Sequence, residues 1–318
     1  MCGGAVKRCL QCQNTFSVVD TCPVCGYTPA EQQGIPIYAP QFAASNDSYP
    51  VSVFAQLAKM EAGHFWFEGR NRILSYMAQH YFPQASNVLE VGCGTGYVLQ
   101  EFCSIYPQAV LTGADIYVKA LEFARSRVPT AHFLQMDARD LPFHAEFDLI
   151  GAFDVIEHIE EDRQVLSQLY DALVPGGGLL ISVPQHRFLW SQVDVLSYHK
   201  RRYTRDELQS KMVQAGFEIL RTTSFTSLVL PLMLITRFTK KRMQDFDLYA
   251  EMRINPGINF LLREIMMVES SLIEASVSFR YGGSRLIVAR KKRNELKGVP
   301  ASGGQEAGQR ITITAQGS

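Results

Sequence analysis

The chain has 318 residues, with 31 Lys+Arg balanced by 31 Asp+Glu and an apolar share of 47%. That is the make-up of an ordinary globular protein of roughly two average domains, long enough to bury a full core without covalent staples. A net charge of zero weakens the case for a general nucleic-acid binder, which carries a basic excess, although a local basic patch is compatible with it. The sequence has no run of about 20 apolar residues and no signal-peptide core at its N-terminus, so the expected compartment is the reducing cytoplasm. Paired cysteines there bind metal more often than they form disulfides.

Four of the seven cysteines form two pairs near the start, Cys9-Leu-Gln-Cys12 and Cys22-Pro-Val-Cys25-Gly26. Four thiolates at this spacing close a tetrahedral zinc site, and the glycine suits a tight knuckle turn; a redox pair or an iron site is the alternative. The segment, residues 1–28, resembles a zinc ribbon. With four protein ligands the metal (Zn) would be structural. Ribbons of this kind often bind nucleic acid or protein, but only Lys7 and Arg8 are basic nearby. Residues 29–52 carry Pro29, Pro36, Pro40, Pro50, Gly34 and Asn46-Asp47, a composition that reads as an extended linker.

Two helical patterns occupy Val53 to His80, with the aromatic cluster His64-Phe65-Trp66-Phe67 between them. From Asn87 the pattern alternates. Strand-length apolar runs at Val88–Val91, Val110–Ala114, His132–Leu134, Phe147–Phe153 and Leu179–Val183 are separated by helical spacing, which predicts a parallel sheet with helices on both faces. A helix at Thr204–Ala215, a strand at Phe217–Thr223 and a last strand at Ser284–Ala289 follow. Between the last two lies an insertion, residues 224–283. It holds the apolar stretch Leu228–Ile235 broken by Pro231, the basic cluster Arg237, Lys240, Lys241 and Arg242, and a helix over Asn259–Val277. The polar, Gly-rich tail 292–318 is expected to be disordered.

The strongest signal is Val88-Leu89-Glu90-Val91-Gly92-Cys93-Gly94-Thr95-Gly96, an apolar strand running into three alternating glycines and the helix Tyr97–Ile105. Glycines there let the chain turn sharply and a ligand approach the backbone, at the strand end where parallel α/β sheets bind ligands. A tight strand–helix turn is the plain alternative, and a dinucleotide fingerprint would want a glycine where Tyr97 stands. Asp115, ending the second predicted strand, is placed to accept hydrogen bonds from both hydroxyls of a ribose.

On these residues the chain resembles the class I S-adenosylmethionine-dependent methyltransferases, closely over about 87–183 and loosely beyond. Glu90-Val91-Gly92-Cys93-Gly94-Thr95-Gly96 matches that family's first motif, and Asp115-Ile116 matches its ribose-binding acid. Met136-Asp137-Ala138 matches its adenine-binding turn, and Phe153 with Asp154-Val155-Ile156-Glu157-His158-Ile159 matches its fourth strand and active-site loop. Leu173–Leu180 matches the turn before its fifth strand. The resemblance implies a Rossmann-like seven-stranded α/β sheet spanning 53–291, S-adenosylmethionine as cofactor, and cofactor contacts at Glu90, Gly92, Cys93, Gly94, Thr95, Gly96, Asp115, Ile116, Met136, Asp137, Ala138 and Phe153. Glu90 organises the loop in such enzymes. The aromatic segment His64–Arg72 resembles a lid over the cofactor, although aromatic clusters are more often core.

Candidate catalytic residues lie after the fourth and fifth strands. His158 either orders its turn or serves as a base near neutral pH. His199-Lys200-Arg201-Arg202-Tyr203 offers two arginines beside His199 and Tyr203, which either hold an acceptor phosphate or carboxylate or form a solvated face before a helix capped by Thr204. The apolar and basic stretch 228–242 is too short to cross a bilayer. It either touches a membrane surface, roofs an acceptor site or forms a homodimer face. The resemblance favours O-methylation of a small-molecule or lipid- or glycan-linked acceptor; RNA methylation guided by the ribbon is the alternative.

Overall fold

Period-two alternation sorts the strand residues onto two faces, and the sheet they build organises everything else. The computed structural model describes residues 6–17, 21–43, 51–239 and 254–293. In chain order the strands are β1 (Val6–Arg8), β2 (Thr15–Ser17), β3 (Ala30–Gln32), β4 (Ile35–Ile37), β5 (Asn87–Val91), β6 (Val110–Asp115), β7 (His132–Gln135), β8 (Phe143–His144), β9 (Phe147–Phe153), β10 (Leu173–Pro184), β11 (Phe217–Phe225) and β12 (Ser284–Lys291). Nine of them form one sheet, ordered β11-β12-β10-β9-β5-β6-β7-β4-β3. Neighbours from β10 across to β7 are parallel, and β12 runs antiparallel between β10 and β11. The chain leaves β5 toward β6 and β7, then returns to β9 on the other side. That reversal opens a crevice at the C-terminal ends of β5 and β9, the place where open α/β sheets receive ligands.

Val88, Leu149, Leu180 and Leu286 face one side of the sheet, where they pack with Met77, Leu99, Phe102 and Leu121. Their neighbours Leu89, Ile150, Ile181 and Ile287 face the other, against Val165, Leu166, Leu169 and Met212. Each fully buried aliphatic side chain contributes about 1.5–3 kcal/mol. A one-residue slip would exchange the two faces, so this alternation fixes the register. On the first face the helices Phe65–Tyr81 and Pro256–Glu274 approach closely at Gly69, where a Cβ would stand 2.8 Å from Met266 Cε. Arg72 ties the same pair through Glu274 at 2.8 Å.

The strands expected from sequence all form; β11 and β12 each run two residues further than expected, and the largest difference in extent is at β10. β10 begins at Leu173 rather than Leu179, with a shift of register between Leu173 and Gly178 where a turn was expected. In the insertion, helices span Leu230–Thr239 and Pro256–Glu274. The second starts three residues ahead of its expected position. The Asn255 side chain accepts the Gly257 N–H at 2.9 Å and Pro256 takes the first turn, a cap-and-proline start. Residues 240–242 of the basic cluster, the side chain of Arg237 and residues 294–318 of the expected tail lie outside the described residues.

The segment read as a linker is a correction. β3 and β4 form a hairpin that adds to the sheet, Ile37 pairing with Gln135 of β7. Its loop is Gln33-Gly34, both at positive φ (55° and 77°), as the favoured two-residue hairpin turn requires. Ile35 and Ile37 are buried in the core, and the Gln135 side chain bonds both backbone groups of Ala39 at 3.0 Å. The cysteine-bearing segment is also joined to the core. β1 pairs with β2 on one edge and with β8 on the other, Lys7 opposite Phe143. Arg8 reaches Asp140, Gln168 and the Leu141 carbonyl.

Candidate active site

The crevice is a cavity of about 590 Å³, within the range of small-molecule sites. Gly92, Asp115, Ile116, Met136, Asp137 and Ala138 line one end of it. Val155, His158, Ile159, Ser197, Tyr198 and Lys200 line the other. Thus six of the residues expected to bind cofactor, and one of the three expected to be catalytic, share a single pocket.

The first end is made by backbone. Gly92, Gly94 and Gly96 all have positive φ (71°, 51° and 77°), a region that favours glycine. Two of them are also sterically obligatory: a Cβ on Gly92 would stand 2.3 Å from Val155 Cγ2, and one on Gly96 would stand 2.9 Å from Ala124 Cα. At Gly94 the space is open. The loop hangs on β6, because the N–H groups of Gly92 and Cys93 both donate to the Ala114 carbonyl (2.8 and 3.0 Å). Asp115 is held from two sides, Oδ2 accepting from Gly94 N and Oδ1 from Tyr117 N, each at 2.9 Å. Burial raises its carboxyl, and the backbone bonds oppose that rise. Asp137 is paired with Arg139 at 2.7 Å.

Other expected cofactor residues stand behind this surface. Thr95 donates to Glu61 and accepts from Arg127 (2.9 Å), and Arg127 pairs with Glu61 at 2.7 Å. This buried knot clamps the glycine loop to the chain before it and to the Val118–Arg127 helix. Cys93 packs into the core, where burial pushes its thiol up. Glu90 is 2% exposed and its Oε2 has no hydrogen-bond partner; burial holds its carboxyl well above the ordinary range. Phe153 is a correction: it lies in the core with its ring 6.1 Å from Phe102, and Asp154 beside it lines the cavity.

The second end is made by side chains. The long loop after β10 turns back and is pinned by Asp194, which accepts from Ser191 N (2.8 Å), Arg202 Nε (2.7 Å) and the His199 ring at Nδ1 (2.9 Å). Burial pushes the Asp194 carboxyl up, but the bonds from His199 and Arg202 outweigh it and hold the group below the ordinary carboxylate range. His199 stacks edge-on against His158 at 4.7 Å. Burial, and then the neighbouring His199, lower His158 to about 4, so it is neutral at pH 7.

Tyr203 is a second correction. It is fully buried and its hydroxyl donates to Asp162 at 2.7 Å, burial and that bond raising it; it braces the loop from behind. The arginines are a third. Arg201 is engaged by Asp162 (3.0 Å) and Glu160, and Arg202 by Asp194, so neither is a ready anion clamp. Lys200 lines the cavity and has no ion pair among the described residues.

The cover differs from the expected lid. Phe54 and Leu57 of the Val51–Met60 helix line the cavity, whereas Phe67 and Arg70 are buried and Arg70 lies over the Trp66 ring and pairs with Asp154 at 2.9 Å. The only advance sign of that helix's role was its amphipathic pattern. The Glu61–Arg127 pair had no local sequence signal, because its members lie 66 residues apart.

The four cysteines converge. The sulfurs of Cys9, Cys12, Cys22 and Cys25 lie within 4.8 Å of one another, with Cys9–Cys25 and Cys12–Cys22 at 3.6 Å. Tetrahedral zinc with Zn–S of about 2.3 Å sets its sulfurs roughly 3.8 Å apart, so the donor set fits.

Residues 88–177 match the family described as "Methyltransferase domain". The chain is 32% identical over 162 residues to the O-methyltransferase cnsE of Penicillium expansum, covering 46% of this chain and 58% of that protein. It is 28% identical over 114 residues to the malonyl-[acyl-carrier protein] O-methyltransferase of Priestia megaterium, covering 35% and 42%. The chain thus spans about half the length of these curated relatives. The fold is similar to that of Haemonchus contortus phosphoethanolamine N-methyltransferase 2 in complex with S-adenosyl-L-methionine, with a TM-score of 0.53 and 17% identity over 78% of this chain and 59% of that one. Over residues 88–177 the chain is thus similar to methyltransferase domains, and its fold is similar to that of an S-adenosyl-L-methionine-bound methyltransferase.

Proposed function

We propose that this protein transfers the methyl group of S-adenosylmethionine to an oxygen of a small acceptor, free or linked to a lipid or glycan. One observation carries the reading: a single cavity joins the Gly92–Asp115 end to the His158–Lys200 end. The cofactor supplies an activated methyl on a sulfonium. Asp115 would take the ribose diol, Met136 and Ala138 would flank the adenine, and the open space at Gly94 suits the amino-acid end. Aligning donor and acceptor supplies much of such an acceleration, and Phe54 with Leu57 shields the pocket from water. Lys200 offers a cation to an acidic acceptor. The O-methyltransferases among the relatives favour oxygen as the atom modified.

The test is transfer of labelled methyl from S-adenosylmethionine into a lysate, split into organic-soluble, small aqueous, protein and RNA fractions. Label in the first two supports the reading, and label confined to RNA makes the ribbon a recruiting module and overturns it. Cys9, Cys12, Cys22 and Cys25 are proposed to hold a structural zinc. Metal analysis then finds one zinc per chain, and Cys9→Ser loses it without weakening cofactor binding; equal zinc in the variant rejects the assignment. The exposed Leu228, Leu232 and Ile235 fit the membrane or homodimer contact expected at 228–242. Vesicle sedimentation against light scattering separates the two, and a monomer that ignores vesicles rejects both. Among the described residues no helix is long and apolar enough to cross a membrane.

A further inference from the structure

At the acceptor end, Glu157, His158 and His199 each bring a ligand atom within 4.8 Å of the other two. Glu157 is 0% exposed, and neither of its carboxylate oxygens has a hydrogen-bond partner. A buried carboxylate with both oxygens bare costs several kcal/mol unless something pairs with it. The charged groups around it do not: Arg202 is held by Asp194, Arg70 is paired with Asp154, and Lys200 offers its backbone N–H to the Glu157 carbonyl at 2.7 Å.

One histidine is held as metal-binding histidines are: His199 bonds Asp194 through Nδ1, which leaves Nε2 free, and the His158 ring packs edge-on against it at 4.7 Å. Metal-ligating imidazoles characteristically give their second nitrogen to a carboxylate or a backbone carbonyl. Ser191 and Arg202 in turn fix Asp194.

We propose that Glu157, His158 and His199 form a binding site for a first-row divalent cation, whose remaining positions open into the cavity and take oxygen ligands from the acceptor. Two imidazoles and a carboxylate suit Mn, Fe, Co or Zn and leave coordination positions for a substrate. Of the three, His158 lines the cavity directly, so a metal there would hold an acceptor hydroxyl beside the transferred methyl. This role for the metal rests on the methyl-transfer reading above; the site itself does not.

The experiment reads metal binding without turnover. Full-length protein is stripped with chelator, given one equivalent of zinc for the four thiolates, and titrated separately with Mn²⁺ and Co²⁺ by calorimetry, with the Mn²⁺ series also followed by electron paramagnetic resonance. One further site per chain is expected. Glu157→Gln and His199→Ala should weaken it at least about 100-fold, and Asp194→Asn roughly 10–100-fold as the loss of an orienting partner. Glu157→Gln keeps the shape of the side chain, and thermal unfolding checks that the variant folds as the parent does. No binding of either ion by the parent protein, or unchanged binding in Glu157→Gln and His199→Ala, overturns the proposal. If the ion binds but no methyl transfer is found in any fraction, the activity reading fails and the metal site stands.

Discussion

The two ends of the cavity are built from different materials. The cofactor end is main chain: three glycines at positive φ and two backbone N–H groups aimed at Asp115. The acceptor end is a loop whose shape depends on side-chain pairs, Asp194 with Arg202 eight residues on, and Asp162 with Arg201, Tyr203 and Lys211, 39 to 49 residues on. A surface made of backbone is fixed once the strands pair, and it suits a ligand that never changes. A surface made of paired side chains can be re-cut by one or two substitutions, which suits the half of the site that chooses the acceptor.

If that division is right, mutations at the two ends should fail differently. The largest effect is expected from Asp194→Asn, which leaves the buried Arg202 without its charge partner and releases His199. Breaking a buried pair costs about 3–5 kcal/mol, so urea unfolding should show a loss of that order while any protein that stays folded keeps its affinity for S-adenosylmethionine. Weakened cofactor binding in folded Asp194→Asn would mean the two ends are one unit. Asp115→Ala should do the reverse. Losing charge-assisted bonds to the ribose, worth about 1.5–3 kcal/mol, lowers cofactor affinity by roughly 10- to 100-fold in calorimetry, with acceptor binding intact; unchanged affinity would remove Asp115 from the site.

The smallest effect belongs to the seam between the ribbon and the core. Glu146 has a buried Oε2 without a partner, and burial raises its carboxyl to about 7, opposed by Lys7. The folded state therefore favours the protonated form, and the stability this gives at pH 5 is lost as pH rises through 7. Glu146→Gln should melt together with the parent at pH 5 and a few degrees above it at pH 8. A constant difference across that range would mean the carboxyl is not buried in solution.

This division also explains what could be read without the fold. The glycine spacing and Asp115 are local signals, and the alternation of Val88 with Leu89, or Leu180 with Ile181, announces a sheet covered on both faces. Arg201-Arg202-Tyr203 misled because a run of cations beside a tyrosine looks like an anion site until Asp162 and Asp194, 39 and 8 residues away, occupy it. Residues 29–43 misled through Gly34 and Pro36, which mark loops in general. The sharper signal was Gln33-Gly34 ahead of Ile35-Pro-Ile37, a two-residue turn followed by alternate buried isoleucines. Glu157 was passed over because a single acid next to a histidine has no visible partner until the chain returns at His199 forty-two residues later.

The hairpin of β3 and β4 has a practical consequence for anyone who trims this protein. A piece cut to the matched domain, or begun at residue 53, would leave the flank of β7 bare at Gln135, whose carbonyl now accepts from Tyr38 N–H. Such a flank recruits strands from other molecules. The shortened chain should therefore gather into larger oligomers or precipitate more readily than the full chain, and the β3–β4 hairpin acts as a cover for the sheet edge.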